Sequence, residues 1–235
     1  MTAAVHVGTS GYNYPEWRGS FYPEKLKASD MLAFYAERFR TVEINATFYR
    51  MPNATTLAGW AAGTPPGFVF TLKAPQRITH MKRLRDVDDP LRFFCDVARQ
   101  LGDKLGPLFF QLPPHFKKDI DRLRGVLVQI PPDLRCAFEF RHDSWFADDV
   151  YDALRAHDAA LCVADTEAGS TPDEATASWG YYRLRNVDYP DAQLTAWAKA
   201  LTRTGRHEVF CYFKHEDAGT GPALAARLRA QLERG

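Results

Sequence analysis

The residues of this chain that could do chemistry sit at the ends of short apolar runs. The clearest case is CAFEFRHDSW, Cys136 to Trp145. Phe138 and Phe140 alternate with Ala137, Glu139 and Arg141. A strand there would bury phenylalanine on one face and carry Glu139 and Arg141 on the other. His142, Asp143, Ser144 and Trp145 then crowd the turn. The same arrangement recurs along the chain. Gly8-Thr9-Ser10 end one run, Glu43 and Asn45 the next, then Lys73, Gln111, Asp165, Arg183 with Arg185, and Tyr212 with Lys214. Carboxylates beside ammonium and guanidinium groups suit proton transfer on an anion. The cations hold the anion, and a carboxylate with a shifted pKa moves the proton. On this reading Glu43, Glu139 and Asp165 are candidate acids and bases. Tyr12, Trp17, Asn45, Lys73, Gln111, Arg141, His142, Arg183 and Lys214 are candidate ligand contacts. The competing reading is a purely structural network, in which Glu43 and Glu139 pair with Lys73, Arg141 or Arg183.

Other chemistries find less support. His142, Asp165, Glu139 and Glu43 are of metal-ligating type, but no HxH or HExxH spacing is present and the neighbouring cations oppose a bound metal. Ser10, His142 and Asp165 could form a triad on paper, yet Ser10 lacks the G-x-S-x-G elbow. Glu43 and Glu139 could face each other as glycosidase carboxylates do, about 5–9.5 Å apart. The surrounding cations would keep both ionised, which leaves no acid. No metal and no cofactor is expected.

Eight apolar runs must place these residues. They are Ala4–Gly8, Thr41–Asn45, Phe68–Lys73, Pro107–Leu112, the run from Cys136, Ala160–Asp165, Trp179–Arg185 and Glu208–Lys214. Helical periodicity separates most of them. Met31, Phe34, Tyr35, Arg38 and Phe39 form one stripe, with Ser29-Asp30 as its expected cap. Asn53 is expected to cap a helix through Trp60. Leu91, Phe94, Cys95, Ala98 and Leu101 make the cleanest apolar stripe. Ile120 to Ile130, Asp148 to His157 and Leu194 to Leu201 follow, and Pro222 opens a last helix carrying Leu224, Leu228 and Leu232. No helix is read between Asp165 and Trp179. Strands alternating with helices predict parallel βαβ units, and eight of them predict a (β/α)8 TIM-type barrel. A doubly wound sheet would show a glycine-rich turn opening directly into a helix after its first strand. Gly8-Thr9-Ser10-Gly11 does not open that way.

In a barrel the strand ends meet at one face, where active sites are built. Alternation places most of the charged ends inward. Whether Val42 and Ile44 or Glu43 fill the barrel stays open. Two loops above that face stand out: an aromatic one with Tyr12, Tyr14, Trp17, Phe21 and Tyr22, and a basic one with Arg77, His80, Lys82, Arg83 and Arg85. The aromatic loop could pack over the mouth or act as a lid.

Composition bounds the rest. The chain has 235 residues, 46% hydrophobic and 13% aromatic, enough for a sizeable core. No linker, low-complexity tract or fixed-period repeat divides it, so residues 1–235 are expected to form one domain. The formal net charge of +1 creates no global pull towards nucleic acid or membrane. Cys95, Cys136, Cys162 and Cys211 are far apart without a CxxC and read as buried thiols. The first ten residues do not resemble a signal peptide, and no run approaches a membrane span. A cytoplasmic protein is expected, of undetermined oligomeric state.

Five segments in order carry a resemblance. GTSGYNYPEW (8–17), VEINATFYR (42–50), FTLK (70–73), LGPLFFQLPP (105–114) and FEFRHDSW (138–145) together resemble the DUF72 family, also called YecE-like. The resemblance implies a TIM-type barrel and no established activity. Two segments depart from the family's common pattern. YYRLRN (181–186) has Arg185 and Asn186 where many relatives have His and Gly, and YFKHED (212–217) lacks the Asn-Asn pair that often follows Tyr-Phe. Both changes make the expected pocket more cationic.

The sequence therefore predicts an enzyme, a hydrolase, lyase or isomerase, acting on a small anionic, phosphate-bearing molecule by metal-independent acid–base chemistry. The alternative is a nucleotide or single-stranded nucleic-acid binder, with Tyr12, Tyr14 and Trp17 stacking on bases and the basic loop holding phosphates.

Overall fold

A computed structural model describes residues 3–202, 205–215 and 217–234. Glu216 of the YFKHED run lies outside the described residues. Strands and helices alternate as β1 (Ala4–Ser10), α1 (Met31–Ala36), β2 (Thr41–Ile44), α2 (Ala46–Tyr49), α3 (Ala54–Ala62), β3 (Val69–Lys73), α4 (Asp88–Arg99), β4 (Leu105–Gln111), α5 (Ile120–Leu127), β5 (Cys136–Glu139), α6 (Asp148–Arg155), β6 (Ala160–Thr166), β7 (Gly169–Ser170), β8 (Gly180–Leu184), α7 (Asp191–Leu201), β9 (Glu208–Phe213) and α8 (Thr220–Leu232). The strand order is β5-β4-β3-β2-β1-β9-β8-β6, and β5 pairs with β6 to close the ring. All eight barrel strands run parallel; the two-residue β7 folds back antiparallel on β6. This is the expected (β/α)8 barrel.

The seams of the ring are unequal. β1 and β9 share six registered pairs, whereas β1–β2 and β5–β6 share two each. No helix separates β6 from β8. The loop there is tied down instead by Thr171 and Thr176, whose hydroxyls accept from the amides of Ala164 and Leu161.

Local chemistry explains some of the helix ends. The Asn53 side chain accepts from the Thr56 amide at 2.8 Å and starts α3 as expected. Asp119 does the same for α5. In α4, Asp88 and Asp89 fill the first turn and Arg99 the last, in keeping with the helix dipole. Its buried stripe is Leu91, Phe94, Cys95 and Ala98, with Val97 beside it. The expected cap of α1 is different. Ala28–Asp30 form a 3-10 turn, the Ser29 hydroxyl donates to Asp30, and the Asp30 side chain accepts from no α1 amide.

Two apolar cores follow from strand alternation. Outward residues such as Val42, Ile44, Phe70, Leu72, Phe110 and Phe138 pack under the helices. Inward residues Phe109, Ala137, Ala160, Cys162, Trp179, Tyr181, Phe210 and Tyr212 fill the barrel. That settles the open question about β2. Thr41 bonds the Tyr212 hydroxyl across the interior, so Glu43, two residues on, points inward. The interior is layered. His6 stacks on Phe210 at the bottom, and Phe109 stacks on Tyr181 in the middle. The charges lie above. All four cysteines are buried and free. Burial pushes the thiols up, Cys95 to about 11 and Cys136 to about 12. Among the described residues no helix is long and apolar enough to cross a membrane.

Candidate functional site

The inward ends of β1, β2, β3, β4, β5 and β8 bring Ser10, Glu43, Lys73, Gln111, Glu139 and Arg183 together, all buried. Arg183 is the centre. Its Nη1 donates to Glu139 Oε2 at 2.6 Å and its Nη2 to Glu43 Oε1 at 3.0 Å. The Phe109 ring lies 4.8 Å below its guanidinium. Glu43 also accepts from the Ser10 hydroxyl, and from Tyr181 at 2.6 Å. Glu139 Oε1 accepts from Gln111 at 2.7 Å and from Arg141 Nε at 2.8 Å. Each carboxylate thus receives three donors.

These contacts fix the charge states. Burial would raise the Glu139 pKa, but Arg183 and Arg141 outweigh it and hold the carboxyl well below its usual range. Burial likewise works against the Arg183 cation, and Glu43 and Glu139 overcome it. Tyr181 keeps its proton, because burial and the Glu43 charge both raise its pKa. Glu43–Arg183–Glu139 is therefore a closed ionic unit. Glu139 is a fixed anion there and no proton donor.

Lys73 is different. Its Nζ donates to Gln111 Oε1 at 2.9 Å and lies 4.4 Å over the Phe48 ring. It makes no ion pair within 4.0 Å among the described residues. Burial, then the Arg183 charge, pulls its pKa down to about 8, against the opposing pull of Glu43 and Glu139. Arg185, two residues beyond Arg183, is half-buried and makes no side-chain hydrogen bond or ion pair among the described residues. Burial is also the main force lowering its pKa. Among the described residues around the mouth, Lys73, Arg141, Arg183 and Arg185 face Glu43 and Glu139: four cations against two carboxylates.

The structure separates the remaining candidates. Asn45 stays at the site, donating to Ser10 at 2.7 Å with its buried Oδ1 unpartnered. Asp165 was expected inward but points out, on the face of β6 that carries Leu161 and Val163. It accepts from Ser170, from Asn186 at 2.7 Å and from Tyr189 at 2.7 Å. With Gln193 and Trp197 it lines a separate cavity of about 390 Å³ outside the barrel. His142 Nδ1 accepts from the Ser144 amide and caps a short turn. Lys214 follows the inward Tyr212 at the end of β9. The aromatic loop is packing: Trp17 is fully buried against Tyr14, Phe21 and Tyr22. Neither the lid nor the base-stacking expectation finds an exposed Trp17 ring. Tyr12 is half-buried, its carbonyl bound by the Tyr22 hydroxyl. The basic loop is partly ordered as a π-turn, Arg77–Met81.

Sequence reasoning missed three members. Tyr181 was signalled by its place two residues before Arg183 on the inward face. Ser10 was visible as a strand end, and nothing nominated it as a partner of Glu43. Phe48 lies in α2, a single turn that no periodicity reveals.

A model of the family described as "Protein of unknown function DUF72" matches residues 6–235. The UPF0759 protein YunF of Bacillus subtilis is 31% identical over 157 residues, covering 63% of this chain and 54% of that protein. The UPF0759 protein YecE of Escherichia coli K12 is 28% identical over 144 residues, 61% of this chain and 50% of its own. The match therefore spans about half the length of these curated relatives. A crystal structure of a DUF72 family protein, TM1631 from Thermotoga maritima, superposes with a TM-score of 0.82 at 27% identity, covering 98% of this chain and 99% of that one. A second, EF0366 from Enterococcus faecalis, gives 0.81 at 16% identity over 98% of both chains, a likeness of fold alone.

Proposed function

The chain belongs to the DUF72 family, whose description assigns no activity, and from the chemistry of its barrel mouth we propose an enzyme for a small anionic, phosphate-bearing molecule. One observation carries the reading: two cations at the mouth, Lys73 and Arg185, have no carboxylate partner among the described residues, above an ionic unit that is already closed. A dianionic ligand would neutralise the excess. Arg141 adds both of its terminal amino groups, since among the described residues only its Nε is engaged. Guanidinium groups hold phosphate or carboxylate in a fixed fork, which fits the role. The unpartnered Asn45 Oδ1 is an acceptor for a ligand hydroxyl.

The acid–base group in this reading is Lys73. Arg183 and Arg141 hold Glu139 as an anion, whereas burial brings Lys73 to exchange its proton near pH 8. Calorimetric titration with inorganic phosphate tests the proposal. Millimolar or tighter binding is expected in the native chain, weakened at least tenfold by Arg185→Gln. No binding at millimolar phosphate would overturn the reading.

A further inference from the structure

Lys104 and Lys73 both donate from buried or part-buried positions, and they differ in kind. Lys104 Nζ donates to Ala61 O at 2.6 Å, Thr64 O at 2.6 Å and Thr64 Oγ1 at 2.8 Å. Three acceptors for three N–H groups make a satisfied structural ammonium. Lys73 is 8% exposed and has a single oxygen acceptor among the described residues, Gln111 Oε1. A buried ammonium short of two acceptors is poorly accommodated; a neutral amine is not. The orientation of Gln111 is fixed from behind. Its Nε2 must donate to Glu139 Oε1, so its Oε1 must face Lys73. The amide can only accept from the amine. One N–H is thereby anchored. The lone pair and the other N–H of the neutral amine have no hydrogen-bond partner among the described residues.

We propose that Lys73 is a nucleophile that forms an imine with the carbonyl carbon of a small anionic aldehyde or ketone, whose anionic group is held by Arg141 and Arg185. The inference rests on the anion-binding reading above and names its substrate class. The Nζ lone pair forms the new C–N bond as the C=O π pair moves to oxygen. Both amine hydrogens then leave with that oxygen as water, and a C=N bond remains. Atoms and electrons balance without an oxidant or reductant. Gln111 holds the amine in place before attack, and the Phe48 ring shields it from one side. Burial and the Arg183 charge keep a large fraction of the amine neutral near pH 8, where an exposed lysine is almost wholly protonated.

Reductive trapping tests this in the native chain. The protein is incubated with glyoxylate and cyanoborohydride at pH 8, and modified lysines are mapped by peptide mass spectrometry. Cyanoborohydride delivers hydride to the imine and leaves a stable secondary amine. Lys73 is expected to react roughly ten to a hundred times faster than exposed Lys25 and Lys117. Inorganic phosphate should slow the reaction at Lys73 alone. Arg185→Gln should slow it with glyoxylate more than with uncharged propanal. If Lys73 reacts no faster than Lys25 while phosphate still binds by calorimetry, the imine is excluded and the anion site stands. If phosphate does not bind either, both readings fall together.

Discussion

Lys73 is a cation that its surroundings resist, and this has a thermodynamic signature. Unfolded, its amine keeps a proton up to about 10.5; folded, it releases it near 8. Between those values the unfolded chain binds the extra proton, so this residue makes stability rise with pH. Below pH 8 both states are charged, and the native state carries the full penalty, at most about 3 kcal/mol. Lys73→Met should therefore be more stable than the native chain at pH 7, by about 1–3 kcal/mol, with the gap closing towards pH 10. Thermal melts of both proteins across that range measure it; a gap that is constant with pH would refute the assignment. Glu139 behaves oppositely. Its contribution is complete above about 4.5, the unfolded carboxyl's value, and is lost in acid as the folded carboxyl gains its proton. Glu139→Gln leaves Arg183 with Glu43 alone and should cost about 3–5 kcal/mol at pH 7, with its acid sensitivity reduced. An unchanged melting temperature would mean that the ionic unit adds no stability.

At the scale of strands and helices, glycine gives predictions of opposite sign. A Cβ on Gly8 would lie 2.2 Å from the Thr41 carbonyl oxygen, inside the β1–β2 seam. Gly8→Ala should cost about 3 kcal/mol or more, because backbone rather than side chain must move. Gly59 sits in exposed α3 with nothing within 4 Å. Gly59→Ala should add about 0.5–1 kcal/mol. Denaturant melts of the pair decide both signs. Strands and helices were also the most legible level of the sequence. Short apolar runs located every barrel strand, and the absence of helical spacing after Asp165 correctly left β6 and β8 without a helix between them. Period-two alternation, carried through β6, would have put Asp165 outward with Leu161 and Val163. Its small inward residues, Ala160, Cys162 and Ala164, gave no contrast to mark the face. The pairing of Glu43, Glu139 and Arg183 was legible as one of two readings. Which of them wins depends on distances across the barrel that no local pattern carries. Burial of Trp17 was hidden for the same reason: its partners Phe21 and Tyr22 are near in sequence, but the pocket they fill is closed by the rest of the fold.

Seen as a whole molecule, the one continuous ring divides at its thinnest seams into two four-strand sheets. The two thinnest seams, β1–β2 and β5–β6, lie on opposite sides and divide β2–β5 from β6, β8, β9 and β1. Glu43 and Glu139 stand on β2 and β5, the two outer strands of the first sheet. Arg183, in the second sheet, binds both. The ionic unit is thus a clasp across both seams. Arg183→Met strands two buried carboxylates and removes the clasp. In hydrogen exchange its amides along β1–β2 and β5–β6 should lose protection far more than those within β2–β5. A uniform loss of protection would show that the ring opens as one piece.

The six-pair seam between β1 and β9 has a consequence in time. Of the eight barrel strands β1 is synthesised first, and its main partner is synthesised last. At about 5–20 residues per second, some 200 residues of synthesis separate them by roughly 10–40 s. Throughout that interval β1 can hold only its short pairing with β2, and its other edge is bare. The order of synthesis therefore makes β1 the barrel strand most in need of protection while the chain is being born.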